Sequence, residues 1–402
     1  MRVDVVIVSW NGREDTLRAV EGVVAQTPPR SMPAPGIIVV DNGSSDGTRE
    51  ALAASYPAVR LLRLGTNRGF TGGVRAGMEV SSADLVILLN NDAVPQPGWL
   101  EALVDAIAQS PPDVISVAGC IVDPSGKKAD FVRGAMTFDG HAFQPGFRKP
   151  LDSVEVPPPG SEIPFACGGN MIVRRVPFLG IGGFDDDYFA YLEDVDFGWR
   201  SWLAGYRTLW EPRAVVRHRS SATSDRLGSF ERGVLFERNA MQTALKNYDQ
   251  ESFRSVAGAI FLTALHRTHR YTVDRNPGTA RLRRPALDQA PIVPPSSGGL
   301  FGKVARRLGF RRASNVPVLE DELTVMQFRA VEWIFANSSK VMEKRRRVQG
   351  LRKRPDREIF EHFPRLLVPT YPGDAQLFDS ALFEELTAGL GLERRTLEEI
   401  LG

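Results

Sequence analysis

Leu85-Val86-Ile87-Leu88-Leu89-Asn90-Asn91-Asp92 decides how the fold is read. Five apolar residues in succession, then polar ones, mark a strand buried on both faces. Such a strand delivers the carboxylate of Asp92 to the rim of a sheet. Pro95 and Pro97 stop regular structure soon after. Working outward, Val3–Val8, Ile37–Val40, Val59–Leu64 and Val114–Ala118 read as further buried strands. Helical spacing separates them, over Glu14–Ala25, Asp46–Ser55, Gly72–Val80 and Trp99–Ala108. This alternation predicts an α/β fold with a mostly parallel sheet and helices on both faces. In such sheets ligands bind outside the carboxyl ends of the strands. Ser9, Trp10, Asn11, Asp41, Asn67 and Asp92 each follow an apolar run and belong there.

A second acidic stretch, Tyr191-Leu192-Glu193-Asp194-Val195-Asp196-Phe197-Gly198-Trp199-Arg200, opens a predicted helix over Val195–Ala204. Acids in a first helical turn are favoured by the helix dipole, and Arg200 can pair back to Asp196 at i+4. Neither point explains Glu193 and Asp194, which follow Phe184, Tyr188, Phe189 and Tyr191. A carboxylate among aromatics loses solvation, so its pKa rises toward a range useful for proton abstraction. Either acid could serve as the base.

Length and composition bound the rest. The 402 residues allow two or three domains, and the net charge of +2 gives no reason to expect nucleic acid as a partner. Two cysteines, Cys120 and Cys167, cannot form a disulfide framework, which fits a reducing compartment. Met1-Arg2-Val3-Asp4 leads straight into a strand, so no signal peptide is expected. The longest apolar helical stretch, Val256–Leu265, is about half of the ~20 residues that a bilayer requires. The expected location is cytoplasmic, with contact at the inner face of a membrane.

Other motifs punctuate the strand ends. In Asp41-Asn42-Gly43-Ser44-Ser45-Asp46-Gly47-Thr48, Asp46 suits a helix N-cap, whereas Asp41 has no capping duty and is free to bind a base or ribose. Asn67-Arg68-Gly69-Phe70-Thr71-Gly72-Gly73 lets a ligand approach the backbone closely at a helix start. It lacks the spacing of a P-loop or of a dinucleotide fingerprint. Gly168, Gly169 and Asn170 interrupt another apolar run, and His218 closes a strand-like segment, Ala214–His218, that follows another at Tyr206–Trp210. Oxygen ligands plus one imidazole, completed by diphosphate oxygens, suit Mg²⁺ or Mn²⁺.

In this order the pieces resemble family 2 glycosyltransferases of the GT-A fold, closest to rhamnosyltransferase-like bacterial members that build cell-surface polysaccharides. The matching stretches are Val8–Gly12, Val40–Thr48, Asn67–Phe70, Leu89–Asp92, Gly182–Asp185 and Glu193–Asp196, covering roughly residues 1–245. The resemblance implies inverting transfer of a sugar, first of all L-rhamnose, from a dTDP- or UDP-sugar to a hydroxyl of a glycan or lipid-linked acceptor. It implies that Ser9, Trp10, Asn11 and Asp41 hold the nucleoside. Asn67, Arg68, Gly69 and Phe70 line the nucleotide site, with Asn90 and Asn91 beside them. Asp92, the last residue of a DxD-type motif, and His218 bind the metal. Asp194 is the base, with Glu193 as its alternative, and Gly168, Gly169 and Asn170 line the sugar and acceptor side. The DxD position keeps one acid, in Asn90-Asn91-Asp92, and Val74-Arg75 replaces a common Asn pair.

The expected organisation is a catalytic domain over 1–228, with a nucleotide half to about 120 and an acceptor half beyond it. A helical extension over 229–275, a flexible basic linker over 276–318 and a helical region over 319–402 follow. Asn276–Gly299 is rich in Pro, Gly and Ser, and a helix is expected over Glu320–Arg347. Arg281, Arg283, Arg284, Arg306, Arg307, Arg311, Arg312 and Lys344-Arg345-Arg346-Arg347 read as solvated surface or as a basic face for anionic lipid. A non-catalytic saccharide- or nucleotide-binding module is the competing class. A nucleotidyltransferase would need a basic triphosphate loop, which Trp10–Asp15 does not supply.

Overall fold

A computed structural model describes residues 1–29, 32–220, 228–273, 322–371 and 373–401. The apolar runs become β1 (Val3–Ser9), β2 (Gly36–Asp41), β3 (Arg60–Arg63), β4 (Leu85–Asn90), β5 (Ala93–Pro95) and β6 (Val114–Val122). The short β7 (Ala129–Phe131), then β8 (Asn170–Arg174) and β9 (Arg207–His218), complete the main sheet. Its order is β3-β2-β1-β4-β8-β6-β9-β5, with β7 beside β6. β1, β2, β3 and β4 pair in parallel, as do β6 and β9. β8 runs antiparallel between β4 and β6. Tyr206–Trp210 and Ala214–His218, expected as two strands, form the single strand β9. It carries a register shift between Glu211 and Val215.

Helices α1 (Arg13–Val24), α2 (Thr48–Ser55), α3 (Gly69–Val80) and α4 (Trp99–Gln109) follow the first strands. The α1 helix buries Ala19, Val20 and Val23, and β4 is buried from Leu85 to Leu89. Each apolar side chain so covered contributes roughly 1.5–3 kcal/mol against chain entropy. The α3 helix lies unusually close to β1. A Cβ at Gly73 would sit 2.4 Å from Val8 Cγ1, and one at Gly77 2.4 Å from Val6 Cγ1. Gly73, expected to admit a ligand, instead admits the sheet. Asp46 is also not the N-cap of α2. That position is Gly47, and Asp46 accepts the Thr48 N–H from one residue earlier, at 3.1 Å.

The acidic stretch begins α5 (Glu193–Leu203), and the chain continues through α6 (Ser229–Asn247), α7 (Gln250–Val273), α8 (Glu322–Ala336) and α9 (Ser338–Leu351). The helix expected over Glu320–Arg347 is therefore two, broken at Asn337. The Asn276–Gly299 linker and the basic residues Arg281 to Arg312 lie outside the described residues. One apolar core runs from Val3 to Leu390, so the C-terminal helices pack on the sheet domain. The basic run on α9 is partly internal. Lys344 pairs with Asp185 and Asp187, and Arg345 donates to the carbonyls of Leu245 and Tyr248, both at 2.7 Å. Among the described residues no helix is long and apolar enough to cross a membrane.

A buried charge cluster bolts these layers together. His141 lies 3.1 Å from Asp139 and 3.3 Å from Glu237 on α6. Arg267 on α7 lies 3.3 Å from Asp139 and 2.9 Å from Asp374. Burial alone would lower the pKa of His141, but Asp139 and Glu237 raise it to about 10. The unfolded value is near 6.5, so this cluster stabilises fully below that pH and weakens as pH rises toward 10. Thermal unfolding followed from pH 6.5 to 10 should show a falling Tm, a loss on the order of 1–3 kcal/mol. In a His141→Asn variant that slope should flatten.

Candidate active site

The carboxyl ends of β1, β4 and β9 open on one cavity of about 820 Å³. Trp10, Asn67, Gly69, Phe70, Asn90, Asn91 and Asp92 line it. So do Gly168, Gly169, Glu193, Asp194 and His218, from elements far apart in sequence. Ser9, Asn11, Asp41, Arg68 and Asn170 are not among the lining residues. Ser9 is fully buried and shares a 2.7 Å hydrogen bond with Thr16. Asn170 is a strut. Its amide donates to the carbonyls of Cys120 and Ala214, and its oxygen accepts the Trp99 indole N–H at 2.8 Å. Asp41 does have a local duty, accepting the Ser44 N–H at 2.9 Å. Asn11 accepts the Ser45 N–H at 2.8 Å, which laces the two strand-end loops together.

Asn42 shapes the nucleotide-side turn. Its amide donates to Asn67 Oδ1 and to the Gly69 carbonyl, each at 2.9 Å, and its oxygen accepts the Arg68 N–H. No spacing rule distinguishes it from an ordinary turn asparagine. Gly69 starts α3 with φ +73, and a Cβ there would lie 2.3 Å from the Phe189 carbonyl oxygen. The turn after β3 and the loop before α5 thus meet in a contact that only glycine fits.

At the rim of β4, His218 Nε2 lies 3.0 Å from Asp92 Oδ1, and His218 Nδ1 lies 2.8 Å from Asp130 Oδ2. Burial opposes charge on this histidine, but Asp130 and Asp92 raise its pKa to about 10. Burial would likewise raise Asp92, and His218 outweighs it to hold that carboxyl below the usual range. Asp130 sits on three-residue β7, where the sequence pattern is loose, and only its place between Ala129 and Phe131-Val132, an acid within an apolar run, could have marked it. Among the described residues no group of three His, Cys, Asp or Glu side chains converges on a metal position. The two donors present nevertheless suit a divalent ion. A carboxylate oxygen and an imidazole nitrogen that already share one 3.0 Å contact at the cavity wall would be the donors. A carboxylate on the far ring nitrogen is the usual support for a metal-binding imidazole.

At the start of α5 the acids separate. Asp196 is sealed between Arg200 at 2.8 Å and Lys246 at 3.0 Å, the pairing expected from its i+4 spacing. Glu193 is buried, and its Oε2 has no hydrogen-bond partner. Burial and the neighbouring Asp194 push its pKa well up, disfavouring its charged form. Asp194 is half-buried and faces the cavity. Burial raises its pKa, while the N–H groups of Gly168 at 3.2 Å and Val195 at 2.8 Å lower it. The two adjacent acids thus sit in unlike environments, one with an unpartnered oxygen and one held by two backbone N–H groups.

The chain matches the family described as Glycosyl transferase family 2 over residues 4–181. It is 32% identical over 211 residues to the N-acetylglucosaminyl-diphospho-decaprenol L-rhamnosyltransferase of Mycobacterium tuberculosis, covering 47% of this chain and 68% of that protein. The chain belongs to glycosyltransferase family 2. It is also 28% identical over 189 residues to a glucosyl-dolichyl phosphate glucuronosyltransferase of Haloferax volcanii, covering 46% of this chain and 56% of that one. The crystal structure of GalNAc-T7 with UDP, GalNAc and Mn²⁺ is similar in fold, with TM-score 0.51 and 18% identity. That match covers 69% of this chain and 52% of GalNAc-T7. The chain is thus a glycosyltransferase on a mixed α/β fold of the GT-A kind.

A Gly69→Ala substitution should strain both loops at once. We expect a stability loss of about 1–3 kcal/mol and weakened UDP binding, read by thermal shift and calorimetry.

Proposed function

We propose that this glycosyltransferase inverts the anomeric centre in one displacement, with Asp194 as base. The carrying observation is that Asp194, the Asp92–His218 pair and the nucleotide-side turn line the same cavity. Inversion needs one base at the acceptor hydroxyl and charge neutralisation at the leaving diphosphate. Asp194 takes the proton of the acceptor hydroxyl. The oxygen then bonds to the anomeric carbon as the bond to the diphosphate oxygen breaks, and the electron pair leaves with the nucleoside diphosphate. Burial and Asp194 disfavour the charged form of Glu193, whereas two backbone N–H groups support that of Asp194, which favours Asp194 as the base. Asp92 and His218 would hold Mg²⁺ or Mn²⁺, with Asp130 orienting the imidazole. A bound divalent cation would offset the negative charge on the diphosphate.

On the nucleotide side, Trp10 offers a ring to the base, and Asn67, Gly69 and Phe70 offer the α3 start to phosphate. Asn90 and Asn91 line the cavity next to Asp92. Ser9, Asn11, Asp41 and Arg68 would act behind this wall, and Asn170 behind Gly168 and Gly169. The donor we favour is dTDP-L-rhamnose, with UDP-sugars next. The transfer named for the Mycobacterium tuberculosis relative supports rhamnose. Its name also supports a lipid-linked acceptor and a role in cell-surface polysaccharide synthesis. The rest of the cavity wall suits such an acceptor. Phe143, Phe147, Phe236 and Leu401 give an apolar lining beside Arg148. A cytoplasmic enzyme touching the inner face of the membrane fits that acceptor.

Asp194→Asn should abolish transfer while nucleotide binding survives, and Glu193→Gln should keep most of the activity. Intact turnover in Asp194→Asn would sink the base assignment. Because Asp194 has a raised pKa and works deprotonated, the wild-type rate should fall on the acid side at a pH above the ordinary aspartate value. Asp130→Asn should weaken Mn²⁺ affinity by about 10–100-fold, measured by titration in the presence of UDP.

A further inference from the structure

The loop that delivers Asp194 is held in a conformation it would not adopt alone. Phe189 has φ 63 and ψ −59, and the Ala190 N–H bonds the Tyr188 carbonyl at 2.7 Å. That is a γ-turn of the rare, strained hand. Tyr191 and Leu192 follow with φ 71 and 62, and Leu192 is the residue on which α5 begins. Three of the four residues from Phe189 to Leu192 are thus non-glycine residues at positive φ, which persists only where surroundings impose it.

The largest share of the contacts that hold it comes from one side chain on α6. The amide of Asn239, itself fully buried, lies 3.0 Å from the Tyr188 carbonyl, 2.9 Å from that of Ala190 and 2.8 Å from that of Tyr191. Its neighbour Arg238 donates to the carbonyls of Asp187 at 2.6 Å and Tyr188 at 3.2 Å. On the opposite flank the Phe189 carbonyl accepts the Thr71 N–H at 3.2 Å, and Gly69 packs beneath it. Three carbonyls that would otherwise point apart converge on a single amide.

We propose that Asn239 is the positioning residue of the catalytic loop: it fixes residues 188–192 in the path that aims Asp194 into the cavity. The proposal rests on the reading of Asp194 as base. It assigns α6, outside the residues matched to the family, a direct part in setting the reaction geometry.

The test compares the full-length Asn239→Ala protein with wild type, using dTDP and UDP for nucleotide binding and transfer from the sugar donor that wild type turns over. Nucleotide affinity should stay unchanged while kcat falls by about 100-fold, as expected for a base displaced by around 1 Å. The acid limb of the kcat–pH profile should move, because the surroundings of Asp194 change. Asp374→Asn, which breaks an ion pair with Arg267, is the control: it should lower Tm and leave kcat and the pH profile alone. Wild-type kcat and pH profile in folded Asn239→Ala would overturn the proposal. So would an equal loss of kcat in Asp374→Asn at matched Tm. Should Asn239→Ala fail to fold, Arg238→Ala decides the matter, with the same signature at smaller size expected and an unchanged kcat overturning it. Asp194→Asn separates the two claims. Turnover retained there refutes the base, whereas loss there with a normal Asn239→Ala refutes positioning alone.

Discussion

A carboxylate taken out of water must find a counter-charge, a set of N–H donors or a proton, and the acids at the open end of this sheet divide along those lines. Asp196 takes two cations, Arg200 and Lys246, and is spent as structure. Asp92 takes His218, a partner that can be exchanged for another positive charge. Glu193 has no hydrogen-bond partner on Oε2, and burial and Asp194 disfavour its charged form. Asp194 takes two backbone N–H groups and an opening to the cavity, so it can carry charge and still release a lone pair to a substrate. The division follows from environment, because three of these acids lie within four residues of one another.

That division was only partly legible in the sequence. The apolar runs of β1, β2, β4 and β6 are buried on both faces, so their composition announced them, and strand ends located Trp10, Asn67 and Asp92. The i+4 spacing announced the Asp196–Arg200 pair. Asn170 and Ser9 stand at the right places along the chain, but their side chains turn inward, and a one-dimensional pattern does not report side-chain direction at a strand end. Asp130 escaped because β7 is three residues long and carries no periodicity. Asn239 escaped because its partners are carbonyls, which every residue possesses. A bond from an amide to a backbone oxygen 48 residues away leaves no compositional trace.

The basic run on α9 misleads for a related reason. Lys344 and Arg345 look like surface charge because nothing local neutralises them. Their partners, Asp185, Asp187 and the carbonyls ending α6, are about 100–160 residues earlier. Lys246 joins the same acids from α6, at 2.6 Å from Asp185 and 3.0 Å from Asp196. Buried ion pairs of this kind add little net stability over apolar packing, since desolvation offsets attraction. They do penalise any arrangement that separates one partner from the other, so they specify how the helices sit on the sheet.

It follows that the boundary expected near residue 228 is not an energetic one. Cutting there would leave Asp185 and Asp196 without Lys246, Glu237 absent from His141, and the Tyr188–Tyr191 carbonyls without Asn239. Each loss strands a desolvated polar group, and the last falls on the loop that carries Asp194. The family match, over residues 4–181, describes the scaffold that holds nucleotide-side residues. The helices beyond it supply the charges and the amide that satisfy the acidic end of that scaffold. The proposed base precedes these helices in the chain and its restraints come from them, so the folded unit is defined by electrostatic satisfaction across the two rather than by the extent of the sheet.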